Sequence, residues 1–173
     1  NLGVIQQSGI DIDVNYRVDL SSTGFLKALR LGYQGTIVTD YSIQRNPVLD
    51  PVDCKGTYGF ACSSDAVSLV QPDYRHRVAA TLDAGMGLLQ FVWRRIGAVE
   101  NASNRAERID AFDYFDLNAQ IETGFRDVSI NVGIRNLFDK KPPQPASPGA
   151  FGTYAETYDI VGRTFGVSTS ITF

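Results

Sequence analysis

The sequence predicts an all-β fold, arranged as an antiparallel up-and-down sheet of about seven strands. Apolar and polar residues alternate with period two in segment after segment, whereas the 3.6-residue period of an amphipathic helix is scarce. Short and long connections also follow one another in strict order along the chain. Because side chains project alternately to the two faces of a strand, each segment gains one apolar and one polar face.

The first two segments have clearly separated faces. Ile10–Leu20 alternates apolar side chains with aspartate, asparagine and arginine, and such a polar row cannot lie in a dry core without partners. The row suits a wet surface or a water-filled lumen. Phe25–Tyr41 repeats the pattern, with Tyr33 on its apolar face and Arg30 on its polar face.

The remaining segments continue the alternation. Tyr74–Asp83 alternates loosely, and Leu88–Gly97 places Leu89, Phe91 and Trp93 on one face. Three more segments follow: Asp110–Glu122, Arg126–Phe138 and Tyr158–Phe173. The alternating cores run about ten to thirteen residues, closer to the roughly 9–11 residues of a tilted membrane strand than to the roughly 5–6 of a typical soluble one. Strand length therefore favours strands that cross a membrane.

The connections indicate how these strands are arranged. Three are short: Ser21–Gly24, Ala84–Gly87 and Thr123–Phe125. Three are long: Ser42–Asp73, Ala98–Ile109 and Asp139–Thr157. In an up-and-down meander their alternation puts every short turn at one end of the sheet and every long loop at the other. Barrels of outer membranes have this asymmetry, so we expect an antiparallel up-and-down transmembrane β-barrel segment.

Composition excludes several classes of protein. The 173 residues carry a formal net charge of -3 with a pI near 5.1, so no basic face for a nucleic-acid partner is expected. No stretch approaches the roughly 18 consecutive apolar residues of a membrane helix. The chain begins at Asn1 within a strand-like segment, without an initiator Met or a signal peptide, and we expect a processed protein or a fragment.

The two faces of the strands predict two environments. On the apolar faces we expect lipid contacts and an aromatic girdle formed by Tyr33, Phe91, Trp93, Phe115 and Phe165. On the polar faces we expect residues that line a lumen: Asp11, Asp13, Arg17, Arg30, Asp116, Asn118 and Arg135. The alternative for the aromatic residues is the core of a soluble sheet.

Cys54 and Cys62 lie in the longest connection, within DCKGTYGFAC. Two nearby cysteines in a loop of a non-cytosolic protein predict a disulfide, and closing so small a ring stabilises by roughly 2.5 kcal/mol. The alternative is two free thiols. A metal site is not expected, because no histidine or further cysteine lies nearby in the sequence.

The motifs of known enzyme sites are incomplete. Asp11, Asp13 and Asn15 imitate the start of a calcium loop, but Tyr16 occupies the position where that loop requires glycine. Alternate carboxylates also resemble a glycosidase pair, although nothing else supports hydrolysis. His76, the only histidine, has no nucleophile elbow and lies near the outer end of its strand, as rim residues do. We expect no catalytic, metal-binding or cofactor-binding residues.

Five motifs, taken in order, resemble one family. They are SGIDIDVNY (Ser8–Tyr16), YRHR (Tyr74–Arg77), IDAFDYF (Ile109–Phe115), NVGIRNLFDK (Asn131–Lys140) and TYDIVGRTFGVSTSITF (Thr157–Phe173). Together they resemble the C-terminal strands of TonB-dependent outer-membrane receptors. The resemblance covers essentially the whole chain and is densest in its C-terminal half.

The resemblance implies a plugged barrel of about 22 strands, of which residues 1–173 would be the last seven or so. The plug domain and the TonB-contacting segment are absent from this chain. Such receptors take up scarce nutrients, among them siderophore-bound iron, cobalamin and oligosaccharides. The implied partners are outer-membrane lipid, the rest of the barrel and its plug, the TonB complex and an extracellular nutrient captured by the long loops. The resemblance also implies that Phe173 is a recognition signal for barrel assembly.

Two other classes of function remain open at this point. One is a soluble all-β module that binds a ligand or a carbohydrate and folds alone. The other is an enzyme, which only the isolated carboxylates favour. Dependence on detergent distinguishes the soluble module from a barrel segment.

Overall fold

The protein is all-β in the residues that its computed structural model describes, which are 3–62, 70–125, 128–145 and 152–171. The strands are β1 (Val4–Asp19), β2 (Ala28–Gln44), β3 (Val52–Asp53), β4 (Thr57–Tyr58), β5 (Val70–Gln71), β6 (Tyr74–Asp83), β7 (Gly87–Ile96), β8 (Val99–Asn101), β9 (Arg108–Ile109), β10 (Phe112–Glu122), β11 (Val128–Arg135) and β12 (Thr164–Ile171). Two 3-10 turns, Ser21–Thr23 and Phe60–Cys62, complete the regular structure of these ranges. None of their helical segments is long and apolar enough to span a bilayer.

The long strands form one antiparallel meander. The sheet runs β1-β2-β6-β7-β10-β11-β12, with β3 paired to the end of β2. Each long strand pairs with the next long strand along the chain, as the alternation of short and long connections predicts. Within the described ranges β1 and β12 each have one unpaired edge, so this sheet is open. The all-β, antiparallel, up-and-down architecture is thus confirmed, and the described residues contain no closed barrel.

A β-bulge shifts the pairing register between β1 and β2 near Ser8. Ser8 pairs with Asp40 and Gly9 pairs with Val38, so Thr39 is an extra residue in β2. The bulge lets the pairing continue beyond the predicted start at Ile10, and β1 begins at Val4 instead.

The last strand is shorter than predicted. Tyr158–Phe173 was expected to be strand throughout, but β12 covers Thr164–Ile171, and Phe173 lies outside the described residues. Gly162 has a φ of 78°, a left-handed conformation that interrupts a strand. The backbone N–H of Arg163 donates to Asp139 Oδ1 at 2.9 Å, which holds the chain in this bend.

The other predicted strands differ only at their ends. β6 has the predicted bounds, while β2, β7 and β10 are displaced by a few residues. The predicted segment Arg126–Phe138 corresponds to β11, and its first two residues lie outside the described ranges. β11 ends at Arg135 because Asn136 has a φ of 53° and turns the chain out of the sheet.

The long connections fold together instead of forming three separate loops. Strands from two of them form a second sheet, β5-β4-β8-β9, in which β4 and β8 are parallel. That pair departs from the expected antiparallel pairing. One core joins all three connections to β10: Tyr58, Val70, Val99, Ile109, Tyr114, Tyr154 and Tyr158. We refer to the described residues 45–62, 70–73, 97–111, 136–145 and 152–163 as the loop unit.

Candidate functional site

The polar side chains of the long strands share one face of the main sheet, here called the polar face. Strand register places Asp13, Gln34, Arg77 and Arg94 in one row across β1, β2, β6 and β7. All the residues predicted to line a lumen lie on this face: Asp11, Asp13, Arg17, Arg30, Asp116, Asn118 and Arg135. The predicted grouping by face therefore agrees with the register of the sheet.

The acidic side chains of β1 are hydrogen-bonded within the polar face. Thr36 Oγ1 donates to Asp11 Oδ1 at 2.7 Å, and Gln34 Nε2 donates to Asp13 Oδ2 at 3.0 Å. Asn15 Nδ2 donates to the other oxygen of Asp13 at 2.6 Å. A ladder of cross-strand hydrogen bonds thus accounts for the Asp-x-Asp-x-Asn sequence. Across the described ranges, no group of three or more His, Cys, Asp or Glu side chains is placed to hold a metal ion.

Arg94 links the polar face to the loop unit. Its guanidinium donates to both oxygens of Asp116 at 2.8 and 3.0 Å and to Asp159 Oδ2 at 2.7 Å. Arg135 donates to the same Asp159 at 2.6 and 3.2 Å, and the backbone N–H of Asn136 donates to Asp116 at 2.9 Å. Three strands, β7, β10 and β11, are therefore connected to one loop by a network of charge-assisted hydrogen bonds, which are the stronger class of hydrogen bond.

Asp159 is held ionised by this network. Burial alone would raise the pKa of its carboxyl, but the hydrogen bonds from Arg94 and Arg135 outweigh burial and lower the pKa below its ordinary value. The hydroxyl oxygen of Tyr114 also holds Asp159, because it accepts a hydrogen bond from the Asp159 backbone N–H at 3.2 Å. The loop unit thus covers the polar face at the end of the sheet where the long connections lie, here called the loop end.

A cavity of about 510 Å³ lies on the polar face below the loop unit. Its polar lining includes Asp11, Asp13, Gln34, Arg75, Arg77 and Arg94. Two further hollows of about 500 and 370 Å³ lie on the same face, the former beside Asn118 and the latter beside Arg17 and Arg30. The first cavity has the size of a small-molecule site and the strongest concentration of charge.

The opposite face of the main sheet, here called the apolar face, is uncovered among the described residues. The residues predicted to form a girdle all lie on it: Tyr33, Phe91, Trp93, Phe115 and Phe165. Phe165 is 71 % exposed, and Phe91 stacks on Phe115 with ring centroids 5.7 Å apart. Further exposed side chains of this face are Ile10, Val14, Leu31, Leu89, Ile121, Val132, Val167 and Ile171. Contiguous apolar surface of this extent is typical of a contact with lipid or protein.

His76 lies at the loop end of the apolar face. Its Nδ1 is 2.7 Å from Tyr74 Oη, which is 3.1 Å from Tyr33 Oη, and its ring centroid is 4.4 Å from that of Trp93. Trp93 Nε1 donates to Asp113 Oδ1 at 2.8 Å. These side chains combine apolar bodies with polar tips, which is the composition of an interfacial band.

The predicted disulfide between Cys54 and Cys62 is confirmed. Both cysteines are fully buried and pack against Val38, Tyr41 and Ile43 of β2. The bulge at Thr39 makes this contact feasible, because it brings Val38 and Tyr41 to the same side of the strand. The disulfide therefore closes a ring within the loop unit, and the packing of its buried sulfur atoms against β2 holds that ring on the end of the strand.

Sequence reasoning missed four charged residues of this region. Arg75 and Arg77 belong to the YRHR motif, and their spacing of two already places them on one strand face. Arg94 lies on the polar face in the register of β7, but the predicted polar set does not include it. Asp159 lies in a segment that was expected to be strand, so no local pattern signalled its contact with Arg94.

No protein-family model, curated protein or solved structure matches this chain. Function is therefore inferred from the two faces of the sheet, the cavity and the loop unit. The polar face offers hydrogen-bond donors and acceptors to water or a polar ligand. The apolar face offers only contact area.

Proposed function

We propose that this chain forms part of a β-barrel in the bacterial outer membrane, a TonB-dependent receptor that takes up a scarce nutrient. The observation that supports the proposal most is the separation of an apolar face from a polar face across every long strand. In water, a sheet with one apolar face covers it with a second layer. In a membrane barrel, lipid takes the place of that layer.

The dimensions of the apolar face agree with those of a bilayer. On β1 it extends from Ile10 to Val18, which corresponds to about 27 Å of extended strand. At a tilt of about 40°, this length covers about 21 Å along the membrane normal, close to the apolar band of roughly 25 Å on outer-membrane barrels. The aromatic and histidine side chains at its loop end suit the boundary between lipid and water.

The open edges of the sheet require further strands. Unpaired N–H and C=O groups at a sheet edge are not tolerated in hydrocarbon, so β1 and β12 would pair with the remainder of the barrel. On this proposal the polar face lines the lumen and contacts the plug domain and water. The loop unit faces the outside of the cell and captures the nutrient, and the TonB complex acts through the plug.

Paired spin labels test the proposal in the full-length protein within native outer membranes. Val14→Cys and Asn15→Cys are neighbours on opposite faces of β1, and Val167→Cys and Ser168→Cys are neighbours on β12. Because Cys54 and Cys62 are bonded to each other, neither offers a free thiol that would compete for the label. We expect labels at Val14 and Val167 to be relaxed by oxygen, which concentrates in lipid. Labels at Asn15 and Ser168 should be relaxed by a water-soluble nickel chelate.

The same experiment distinguishes the main alternative. A soluble all-β binding module would be recovered without detergent. Its spin labels would not show oxygen relaxation on one face of the sheet and nickel relaxation on the other. Recovery of the full-length protein as a monodisperse monomer in plain buffer would refute the outer-membrane proposal.

A further inference from the structure

Arg75 and Arg77 are the basic residues of the cavity that make no ion pair within the described part of the chain, whereas Arg94 and Arg95 are paired. Both side chains are exposed on β6, and neither makes an ion pair or side-chain hydrogen bond with any residue of the described ranges. A guanidinium carries five N–H donors and no acceptor. The β6 wall of the cavity therefore presents unused hydrogen-bond donors and two positive charges.

The neighbouring strand places a third arginine beside these two but no free carboxylate. Arg77 lies directly opposite Arg94 in the register of β6 and β7, and like charges in that position are destabilising. Arg94 is neutralised by Asp116 and Asp159, whereas Arg77 has no such partner in the described part of the chain. The unfavourable juxtaposition would be relieved by an anion bound beside Arg77.

The acidic residues of the cavity do not supply that anion. Asp11 and Asp13 lie on β1, two strands and roughly 10 Å from β6. Their carboxylates already accept hydrogen bonds from Thr36, Gln34 and Asn15. Opposite walls of the cavity thus differ in hydrogen bonding: the carboxylates of the β1 wall have donors from neutral side chains, whereas the guanidinium groups of the β6 wall have no acceptor in the described ranges.

We propose that Arg75 and Arg77 select an anionic ligand that carries two oxyanion groups, either carboxylates or phosphates. The inference deepens the proposed receptor function and rests on it for the biological role of the ligand. The two arginines are two residues apart on one strand face, so their side chains start roughly 6.5–7 Å apart. Each planar guanidinium can bind one oxyanion through two parallel hydrogen bonds. Neutral oligosaccharides gain nothing from this arrangement.

Binding of simple dianions to the full-length protein in detergent micelles tests the inference. The probes are inorganic pyrophosphate and glutarate, with sucrose as the neutral control, measured by isothermal titration calorimetry. We expect both dianions to bind and sucrose not to bind. Arg75→Gln and Arg77→Gln should each raise the dissociation constants about tenfold or more, because each removes a charge-assisted contact. Affinity should also fall between low and high salt.

Arg17→Gln is the matched control, since it removes one positive charge from the same face outside the cavity. Arg17 lines the adjoining hollow, and its replacement should leave pyrophosphate binding within about twofold of the unmodified protein, as expected for a solvent-screened charge that does not contact the ligand. Arg77→Lys keeps the charge but loses the paired hydrogen bonds, and intermediate affinity is expected. The amount of each variant that detergent extracts from outer membranes, compared with the unmodified protein, measures how much of the variant has assembled.

Several outcomes would overturn the inference. It fails if neither dianion binds, if sucrose binds equally well, or if Arg17→Gln weakens binding as much as Arg77→Gln. It also fails if the Arg75 and Arg77 variants assemble poorly while the assembled molecules bind pyrophosphate normally, since the arginines would then contact another part of the protein. Membrane fractionation tests the receptor proposal separately. If the protein is soluble but binds dianions through these arginines, the anion site is supported and the outer-membrane proposal is refuted.

Discussion

Replacement of Arg94 by glutamine should release the loop unit from the polar face. The variant loses three hydrogen bonds of 2.7–3.0 Å to two carboxylates, Asp116 and Asp159, whose side chains are each 14 % exposed. A hydrogen bond to a charged group contributes about 1.5–3 kcal/mol, so three set an upper limit of about 9 kcal/mol. Solvent reaches Arg94, and both carboxylates keep other donors. The expected loss is therefore about 2–4 kcal/mol.

Hydrogen exchange measured by mass spectrometry gives the assay. In the full-length protein, the free energy of opening residues 152–163 should fall by about 2–4 kcal/mol. This decrease corresponds to about 30-fold to 1,000-fold faster exchange. Arg108→Gln is the control, because Arg108 and Asp110 form an ion pair whose side chains are 58 and 90 % exposed. Such a surface pair contributes at most about 1 kcal/mol. Equal exchange in the Arg94 and Arg108 variants would refute the role assigned to the network.

The same network predicts a dependence on pH. Because the folded state lowers the pKa of Asp159, the stabilisation is present above the unfolded value of about 3.9 and is lost as pH falls through the lower, folded value. The loop unit should therefore melt more easily below about pH 4 than at pH 6. Near-ultraviolet circular dichroism of its buried tyrosines monitors the transition. In Arg94→Gln the dependence should weaken, and an unchanged profile would contradict the assignment.

Three further predictions concern the disulfide, the core and the chain end. Joint replacement of Cys54 and Cys62 by alanine should lower the opening free energy of residues 45–62 by about 2–3 kcal/mol, measured by native-state proteolysis, and no change would contradict a structural role. Tyr158→Phe should cost nothing, because its buried hydroxyl has no partner in the described ranges, whereas Tyr114→Phe should cost about 1 kcal/mol in thermal unfolding. Phe173→Ser should lower outer-membrane assembly more than it lowers the ligand affinity of assembled molecules; the reverse pattern refutes the assembly signal.

The long strands could be predicted from sequence because their information is local. Period-two alternation along β1, β6 and β10 identifies both faces without knowledge of any partner strand. The alternation of short and long connections then predicts that each strand pairs with the next one along the chain, which gives a meander. The start of the last strand was misplaced because alternation continues through Gly162, whose left-handed conformation is accompanied by a contact between Asp139 and the backbone of Arg163.

The loop unit could not be predicted, because its contacts join residues that are distant in the sequence. Tyr58 and Tyr154 pack edge to face at 5.7 Å, yet each lies in a segment without regular periodicity. The contact of Arg94 with Asp159 is of the same kind. Only the disulfide was foreseen, since two neighbouring cysteines need no knowledge of the surrounding fold.

The tyrosine core has a consequence for the order in which the chain acquires its structure. Hairpins of neighbouring strands close short loops and can form early, whereas contacts of high sequence separation pay a larger entropic cost and form late. The core around Tyr58 and Val70 therefore remains incomplete until Tyr154 and Tyr158, which follow it by more than 80 residues, are available to pack on it. A nascent or truncated chain that ends before residue 152 would retain its hairpins and expose an aromatic surface, the kind of intermediate that chaperones recognise.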